Sequence, residues 1–298
     1  MTTTSAISSL ENRLKQVIGN IRNLPTPPIV FEQIQKVLNN PDTSVADVAA
    51  ILSEDPAMSV KVLKLTNSAF YGLSREIDSV NHAVMIIGLE AVKNLVLSAS
   101  VLSMFKANKD NKEYHEKFWR HSLSTALAAR VIARDFHEGR MFNPDPAFST
   151  GLIHDIGKMI ICCFMPNEHE QVMDYMGKHE KVSQMEAEII TMGFNHAQLG
   201  RQLAVTWKLP DRLADAIGYH HTPAMENLSD DLAYLINLAN YIAHNGLPVD
   251  VDGLSNTRLD PETIKFFNID DNYINELKSR LIDEYMKAET FMKIAGMS

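Results

Sequence analysis

The chain has 298 residues, 45% of them hydrophobic, enough to bury one large core or two medium ones. With 37 acidic against 28 basic residues the net charge is -9, so the average surface repels polyanions, and extended contact with nucleic acid or anionic lipid is not expected. The only two cysteines, Cys162 and Cys163, are adjacent in an apolar run, which argues against a disulfide framework and for a reducing compartment.

The N-terminus lacks the charged-then-apolar pattern of a secretion signal, and the longest wholly apolar run, Met159 to Met165, is too short to cross a bilayer. A cytoplasmic protein without membrane association is predicted. Helical spacing and helix caps recur from end to end while sustained period-two alternation is missing, so the predicted fold is all-α. Ser8 and Glu11 read as a capping box for an opening helix with Leu10, Leu14, Val17, Ile18 and Ile21 on one face; Pro25, Pro27 and Pro28 forbid its continuation. A second helix carries Phe31, Ile34, Val37 and Leu38 and stops at Asn40-Pro41, and Ser44 caps a third bearing Val45, Val48, Ile51 and Leu52. Asp55-Pro56 starts a fourth, the carboxylate accepting from free amides and the proline presetting φ. Ser79 opens a helix that Gly88 ends, and a more continuously apolar one follows through Val92, Leu95, Val96, Ala99 and Leu102.

The charged stretch from Lys106 to Lys117 is read as a subdomain boundary. It separates an N-terminal helical subdomain, residues 1–108, from a helical core, residues 109–246, with a C-terminal segment, residues 247–298, behind it. That last segment opens with a polar loop, Leu247 to Leu259, followed by an Asp260-Pro261 helix start and a long final helix with Ile274, Leu277, Leu281, Tyr285 and Met292 on its apolar face.

The middle of the chain concentrates the chemistry. His121 shares a helix face with Phe118, Thr125, Ala128 and Ile132 and so points inward. His154 and Asp155 are adjacent on a helix opened by Asp145-Pro146; neighbouring helical residues diverge by about 100°, yet an imidazole and a short carboxylate can converge on an ion over the ridge between them, or touch two ions. His196 follows Asn195, a good N-cap, and shares a face with Gly200, Leu203 and Trp207. His220 and His221 end a helix that runs from near Pro210 through Leu213 and Ile217, with Pro223 blocking extension. A single inward histidine is most often a hydrogen-bonded core residue. Six titratable groups on four successive helices are different, because burying them unpaired is costly and imidazole with carboxylate suits first-row metals. The remaining histidines, His82, His115, His137, His169, His179 and His244, are assigned to the surface.

His121, the stretch Gly151-Leu152-Ile153-His154-Asp155-Ile156-Gly157-Lys158 and a later acid position together resemble the HD metal-dependent phosphohydrolase superfamily. The first third resembles, more narrowly, the HDOD domain family: Leu24-Pro25-Thr26-Pro27-Pro28, Asp55-Pro56-Ala57, Asn67-Ser68-Ala69-Phe70-Tyr71-Gly72 and Ile87-Gly88-Leu89 carry the likeness, which continues through Trp119, Trp207-Lys208-Leu209-Pro210 and His220-His221. The resemblance implies a multi-helix HD-like bundle in a bacterial signalling protein, a degenerate relative of the HD-type cyclic-dinucleotide phosphodiesterases. It further implies metal ligands at His121, His154, Asp155, His196, His220 and His221, holding one or two divalent or first-row transition ions such as iron, manganese, zinc or nickel. Asp155 and Lys158 would be the groups acting on a phosphoryl substrate.

Two departures weigh against hydrolysis. The superfamily's final aspartate aligns with Asn240, which is uncharged and a weaker donor to a metal. The Gly-Tyr-Pro signature of cyclic di-GMP hydrolysis is missing, since Gly218-Tyr219 is followed by His220, and no glutamate follows His221. The expected function is a regulatory protein with a partly retained metal site and no turnover, acting with a signalling protein partner and with a nucleotide or phosphate as its ligand. The alternative is a metal-dependent phosphohydrolase acting on a nucleotide-like substrate; a third reading makes the histidine cluster purely structural.

Overall fold

A computed structural model describes residues 2–21, 24, 29–38, 40, 42–68, 71–73, 75–105, 111–136, 142–179, 181–224, 231–246 and 258–288. These form helices with no strand among the described residues. In chain order they are α1 (Thr2–Asn20), α2 (Ile29–Leu38), α3 (Val45–Ser53), α4 (Pro56–Thr66), α5 (Val80–Ile87), α6 (Leu89–Met104), α7 (Lys112–Asp135) and α8 (Pro144–Ile153). There follow α9 (Ile156–Phe164), α10 (Pro166–Lys178), α11 (Gln184–Met192), α12 (His196–Thr206), α13 (Asp211–Tyr219), α14 (Leu232–Gly246), α15 (Pro261–Phe267) and α16 (Asp271–Lys287). The all-α expectation holds.

Local chemistry accounts for most of the helix starts. Ser44 and Asp47 form a reciprocal capping box on α3, the Asp55 carboxylate accepts from the Met58 amide at the head of α4, and the Ser79 hydroxyl accepts from the His82 amide on α5. Gly88, at φ +89°, makes the sharp break between α5 and α6 that a side chain would resist. The first helix begins at Thr2, so the Ser8–Glu11 spacing expected at its start falls inside it. Pro25, Pro27, Pro28, His137, Met292 and most of the loop expected from Leu247 to Leu259 lie outside the described residues. The helix started by Asp260-Pro261 and the long final helix are separate, because Asn268 adopts the left-handed conformation (φ 50°) and Asp270 caps a fresh start.

The buried apolar side chains form one continuous core running from Leu14 in α1 to Ala288 after α16. Each Leu or Ile removed from water in it contributes roughly 1.5–3 kcal/mol. Helix α7 is the spine: it packs along α8 on one side and along α14 and α16 on others, while α12 lies between α9 and α13. The N-terminal helix is fastened to the same body, with Arg13 donating to the Met192 carbonyl at 2.7 Å and stacking its guanidinium over Phe194.

The segment from Pro144 to Phe164 is long and apolar enough by composition to span a bilayer, but 83% of its most apolar window is buried inside the protein. It is not one straight helix. His154 and Asp155 sit in the turn between α8 and α9, His154 closing one helix and Asp155 preceding the next, which corrects the expectation that both lie on a single helix opened by Asp145-Pro146. The opening cap is Asn143, whose side chain accepts from the Asp145 amide.

His115 corrects the surface assignment. Its ring Nε2 stands 3.0 Å from the Trp119 indole nitrogen and 2.9 Å from the Phe105 carbonyl, on the buried face of α7. The charged neighbours Lys112, Glu113, Glu116 and Lys117 make the local average polar, yet the face decides burial. His169 is half-buried against Tyr114, and His244 is half-buried against His121; only His82 and His179 of the described five lie largely in solvent or at its edge.

A tight helix crossing involves Gly157. A Cβ built there would stand 1.9 Å from the His196 carbonyl oxygen, so α9 and α12 meet only because that position has no side chain. Gly157→Ala should therefore destabilise the protein by about 3 kcal/mol or more. Gly177→Ala, in α10 with open space around it, should instead be neutral or stabilising by up to about 1 kcal/mol. Urea denaturation midpoints of the two variants check both.

Candidate metal centre

The turn between α8 and α9 places Asp155 at the point where α7, α12 and the end of α13 converge. Its carboxylate is fully buried, and its two oxygens face different neighbours. Oδ1 stands 3.1 Å from His196 Nε2 and 3.3 Å from His220 Nε2, and His221 Nε2 lies 3.0 Å from His196 Nε2. Oδ2 stands 3.4 Å from His154 Nε2 and 3.6 Å from His121 Nε2, the two rings being 3.3 Å apart at those nitrogens. Asp155 is thus shared by two groups, one with His196, His220 and His221 and the other with His121 and His154. Sequence reasoning named all six, and the fold brings all six together.

The donor set fits a metal ion on three counts. First, the ring orientations are fixed from behind. His154 Nδ1 lies 2.7 Å from the Gly151 carbonyl and His220 Nδ1 lies 2.8 Å from the Ile217 carbonyl, so in each ring Nδ1 is the donor and Nε2 presents a lone pair to the cluster. Secondly, Asp155 Oδ1 and His220 Nε2 receive no hydrogen bond of good geometry although both are buried, and Oδ2 has the Lys158 ammonium as its one close cation. Thirdly, donors held at about 2.0–2.1 Å from one cation lie roughly 3.0–3.4 Å from each other, close to the spacings around Asp155.

Glu188 stands behind His196. The carboxylate is fully buried on α11, and its Oε2 accepts from the His196 backbone amide at 2.7 Å and faces ring Nδ1 at 2.6 Å, while Gln184 donates to Oε1 at 3.0 Å. One side chain thereby caps α12 and sets the ring. Sequence reasoning missed this residue. The available signal was the pair Gln184 and Glu188, polar positions four apart on a helix whose neighbouring Ala187 is buried.

The electrostatics differ from ring to ring. Burial alone would raise the Asp155 carboxyl, but His154, Lys158 and His196 outweigh it and hold the group well below the usual carboxylate range. Lys158, one turn into α9, places Nζ 2.7 Å from Oδ2. Burial pushes His220 down to about 4, and burial together with neighbouring imidazoles keeps His121 and His221 well below the ordinary histidine value. His196 goes the other way: burial opposes its charge, yet Glu188 and Asp155 lift it to about 9. In the cation, Nε2–H donates toward Asp155 or His221, and a metal ion would take the place of that proton.

Helix α14 closes the remaining side. Asn237 donates to the His220 carbonyl at 2.8 Å, and the His244 ring stacks on His121 with centroids 4.2 Å apart. Asn240 lies between them on the same face, fully buried, with no hydrogen-bond partner for its Oδ1. His244 is a second residue that sequence reasoning did not bring to the site. Access is through a narrow cleft lined by Tyr114, Lys117, Phe118, Lys158 and Gln184, which reaches His121 and Asp155 and measures about 270 Å³ with its mouth.

Comparison with known proteins places this geometry among relatives. The HDOD domain family matches residues 24–223. A curated protein of Treponema pallidum (strain Nichols), without an assigned function, is 24% identical over 205 residues; the match takes in 69% of this chain and only 39% of that protein's length. Among solved structures, an HDOD domain protein of unknown function from Geobacter sulfurreducens superposes with a TM-score of 0.71 at 23% identity over 97% of both chains. A Shewanella amazonensis SB2B protein provisionally named a phosphohydrolase gives 0.68 at 24% identity, over 95% of this chain and 97% of its own. A Marinobacter aquaeolei VT8 protein provisionally named for signal transduction gives 0.77 at 20% identity, over 97% of this chain but 66% of its own. At these identities the structural likeness is one of fold. The sequence match is what reaches further, because residues 24–223 take in the helices from α2 to α13 together with the five histidines around Asp155, and the chain belongs to the HDOD domain family.

Proposed function

We propose that this chain is a signalling or regulatory HDOD protein whose HD-type pocket binds a divalent metal ion without hydrolysing cyclic dinucleotides. The observation that carries the reading is the shared Asp155 carboxylate, with imidazole lone pairs converging on both of its oxygens. A histidine cluster that was only structural would distribute donors and acceptors to satisfy one another; here the Nε2 lone pairs of His154 and His220 face carboxylate oxygens, acceptor against acceptor. A bound divalent ion would supply Lewis acidity and lower the pKa of a coordinated water. The residues around it are poorly equipped to use that chemistry on a large substrate. Asn240 brings no charge to the α14 side, and the enclosed space of the cleft is about 10 Å³, room for a single water and far below the roughly 300–1,000 Å³ of sites that enclose a drug-sized ligand. A signalling protein is the partner this role requires, and a phosphate or a nucleotide's phosphate is the ligand chemistry the cleft lysines suit.

The second reading, a metal-dependent phosphohydrolase, is favoured by one observation. Lys117 and Lys158 both line the cleft leading to Asp155, where they could neutralise a single phosphoryl group.

Four outcomes are expected. Chelator-treated protein refilled with manganese or zinc should melt higher than the metal-free form, by about 2.7 kcal/mol at a hundred times the dissociation constant, and Asp155→Ala should abolish the gain in thermal denaturation. The same loaded protein should release no product from cyclic dinucleotides; metal-dependent turnover lost in Asp155→Ala would establish the second reading instead. Because His196 is held protonated up to about pH 9, metal must displace its proton, so apparent affinity should weaken by about tenfold per pH unit as the pH falls below that value. Calorimetry in buffers of different ionisation enthalpy should show about one proton released per ion at neutral pH. Glu188→Gln, which removes the charge behind His196 while keeping its size, should weaken metal binding by about 10–100-fold with little change in fold by circular dichroism.

A further inference from the structure

We infer that the centre holds one tightly bound ion, in the half-site formed by Asp155 Oδ1 with His196, His220 and His221, and that the Lys158 ammonium is the resident cation of the other half-site. This rests on the metal-binding reading above and specifies its stoichiometry. The two half-sites share one carboxylate but are unequal in every other respect. The Oδ1 side has three imidazoles, and the buried negative charge of Glu188 stands directly behind one of them. The Oδ2 side has two imidazoles, and its oxygen already lies 2.7 Å from Lys158 Nζ. Lys158 is almost fully buried on the first turn of α9, three residues after Asp155, so helix geometry keeps its stem on the same face as the carboxylate. On α14, the buried residue between Asn237, which touches His220, and His244, which stacks on His121, is Asn240, a side chain without charge. A second divalent ion would therefore meet the first ion and an ammonium across a single shared carboxylate, in a setting that screens poorly.

The test titrates cobalt(II) or manganese(II) into the full metal-free chain, counting retained ions by elemental analysis after desalting and affinities by calorimetry. The wild type should retain one ion. Lys158→Met should retain two, with the second ion bound at least roughly tenfold tighter than the second ion of the wild type. Asn240→Asp, which leaves the lysine in place and adds a carboxylate on α14, should move in the same direction and decides the matter if Lys158→Met does not fold. His220→Ala should lose the single ion, whereas His121→Ala should keep it. Two ions retained by the wild type with similar affinities would overturn the inference while leaving the metal-binding reading intact, as would loss of the ion in His121→Ala. Failure of the wild type to retain any ion would overturn both.

Discussion

Placing a carboxylate where no water reaches it costs several kcal/mol even after a protein relaxes around the charge, and the cost is met only by good partners. Asp155 is such a group, and the elements around it are arranged as its partners. Helix α7 delivers His121, the end of α8 delivers His154, α9 delivers Lys158, α12 delivers His196, and the end of α13 delivers His220 and His221. The close approach of α9 and α12 at Gly157 then reads as a requirement of the centre: only with the helices in contact can a side chain at the head of α12 reach an oxygen at the head of α9. Packing and site are the same constraint seen at two scales.

Backbone groups have the same two duties. The Gly151 and Ile217 carbonyls belong to the last turns of α8 and α13, where helix carbonyls lack intrahelical partners, and each accepts from the Nδ1 of a histidine three residues on. A helix end that must be satisfied anyway thus fixes which nitrogen of His154 and of His220 carries the proton. Glu188 does the equivalent for the start of α12, taking one amide and one ring nitrogen on the same oxygen. Ring orientation in this centre is a by-product of helix termination.

Much of this was readable in the chain, and the exceptions share a cause. Caps such as Ser44, Asp55, Ser79 and Asn195 announce themselves because each acts on an amide two or three residues away. The five histidines around Asp155 were legible because each lies on an apolar helix face or at a helix end, where an unpaired imidazole would be costly. Glu188, His115 and His244 were not, since their meaning depends on residues brought near by folding: Glu188 on His196 from the next helix, His115 on Phe105, His244 on His121 across the α7–α14 contact. The turn at His154-Asp155 was hidden for another reason. Apolar residues on both sides continue a helical pattern, and nothing in local propensity marks the bend that tertiary packing imposes.

That bend also bears on how the chain reaches its native state. The stretch Pro144–Phe164 is apolar enough to resemble a membrane span, and it is shielded from water by lying against its neighbours, chiefly α7, α12, α6 and α14. Until those helices are in place, it is a continuous sticky segment of the kind that seeds aggregation. His154, Asp155 and Lys158 interrupt it near the middle, and in an unfolded chain those polar groups are hydrated and two of them, Asp155 and Lys158, carry charge, which discourages self-association of the segment. Residues that serve the centre in the finished protein act beforehand as gatekeepers, so replacing them with apolar residues would ease the desolvation cost of the folded state at the expense of solubility on the way there.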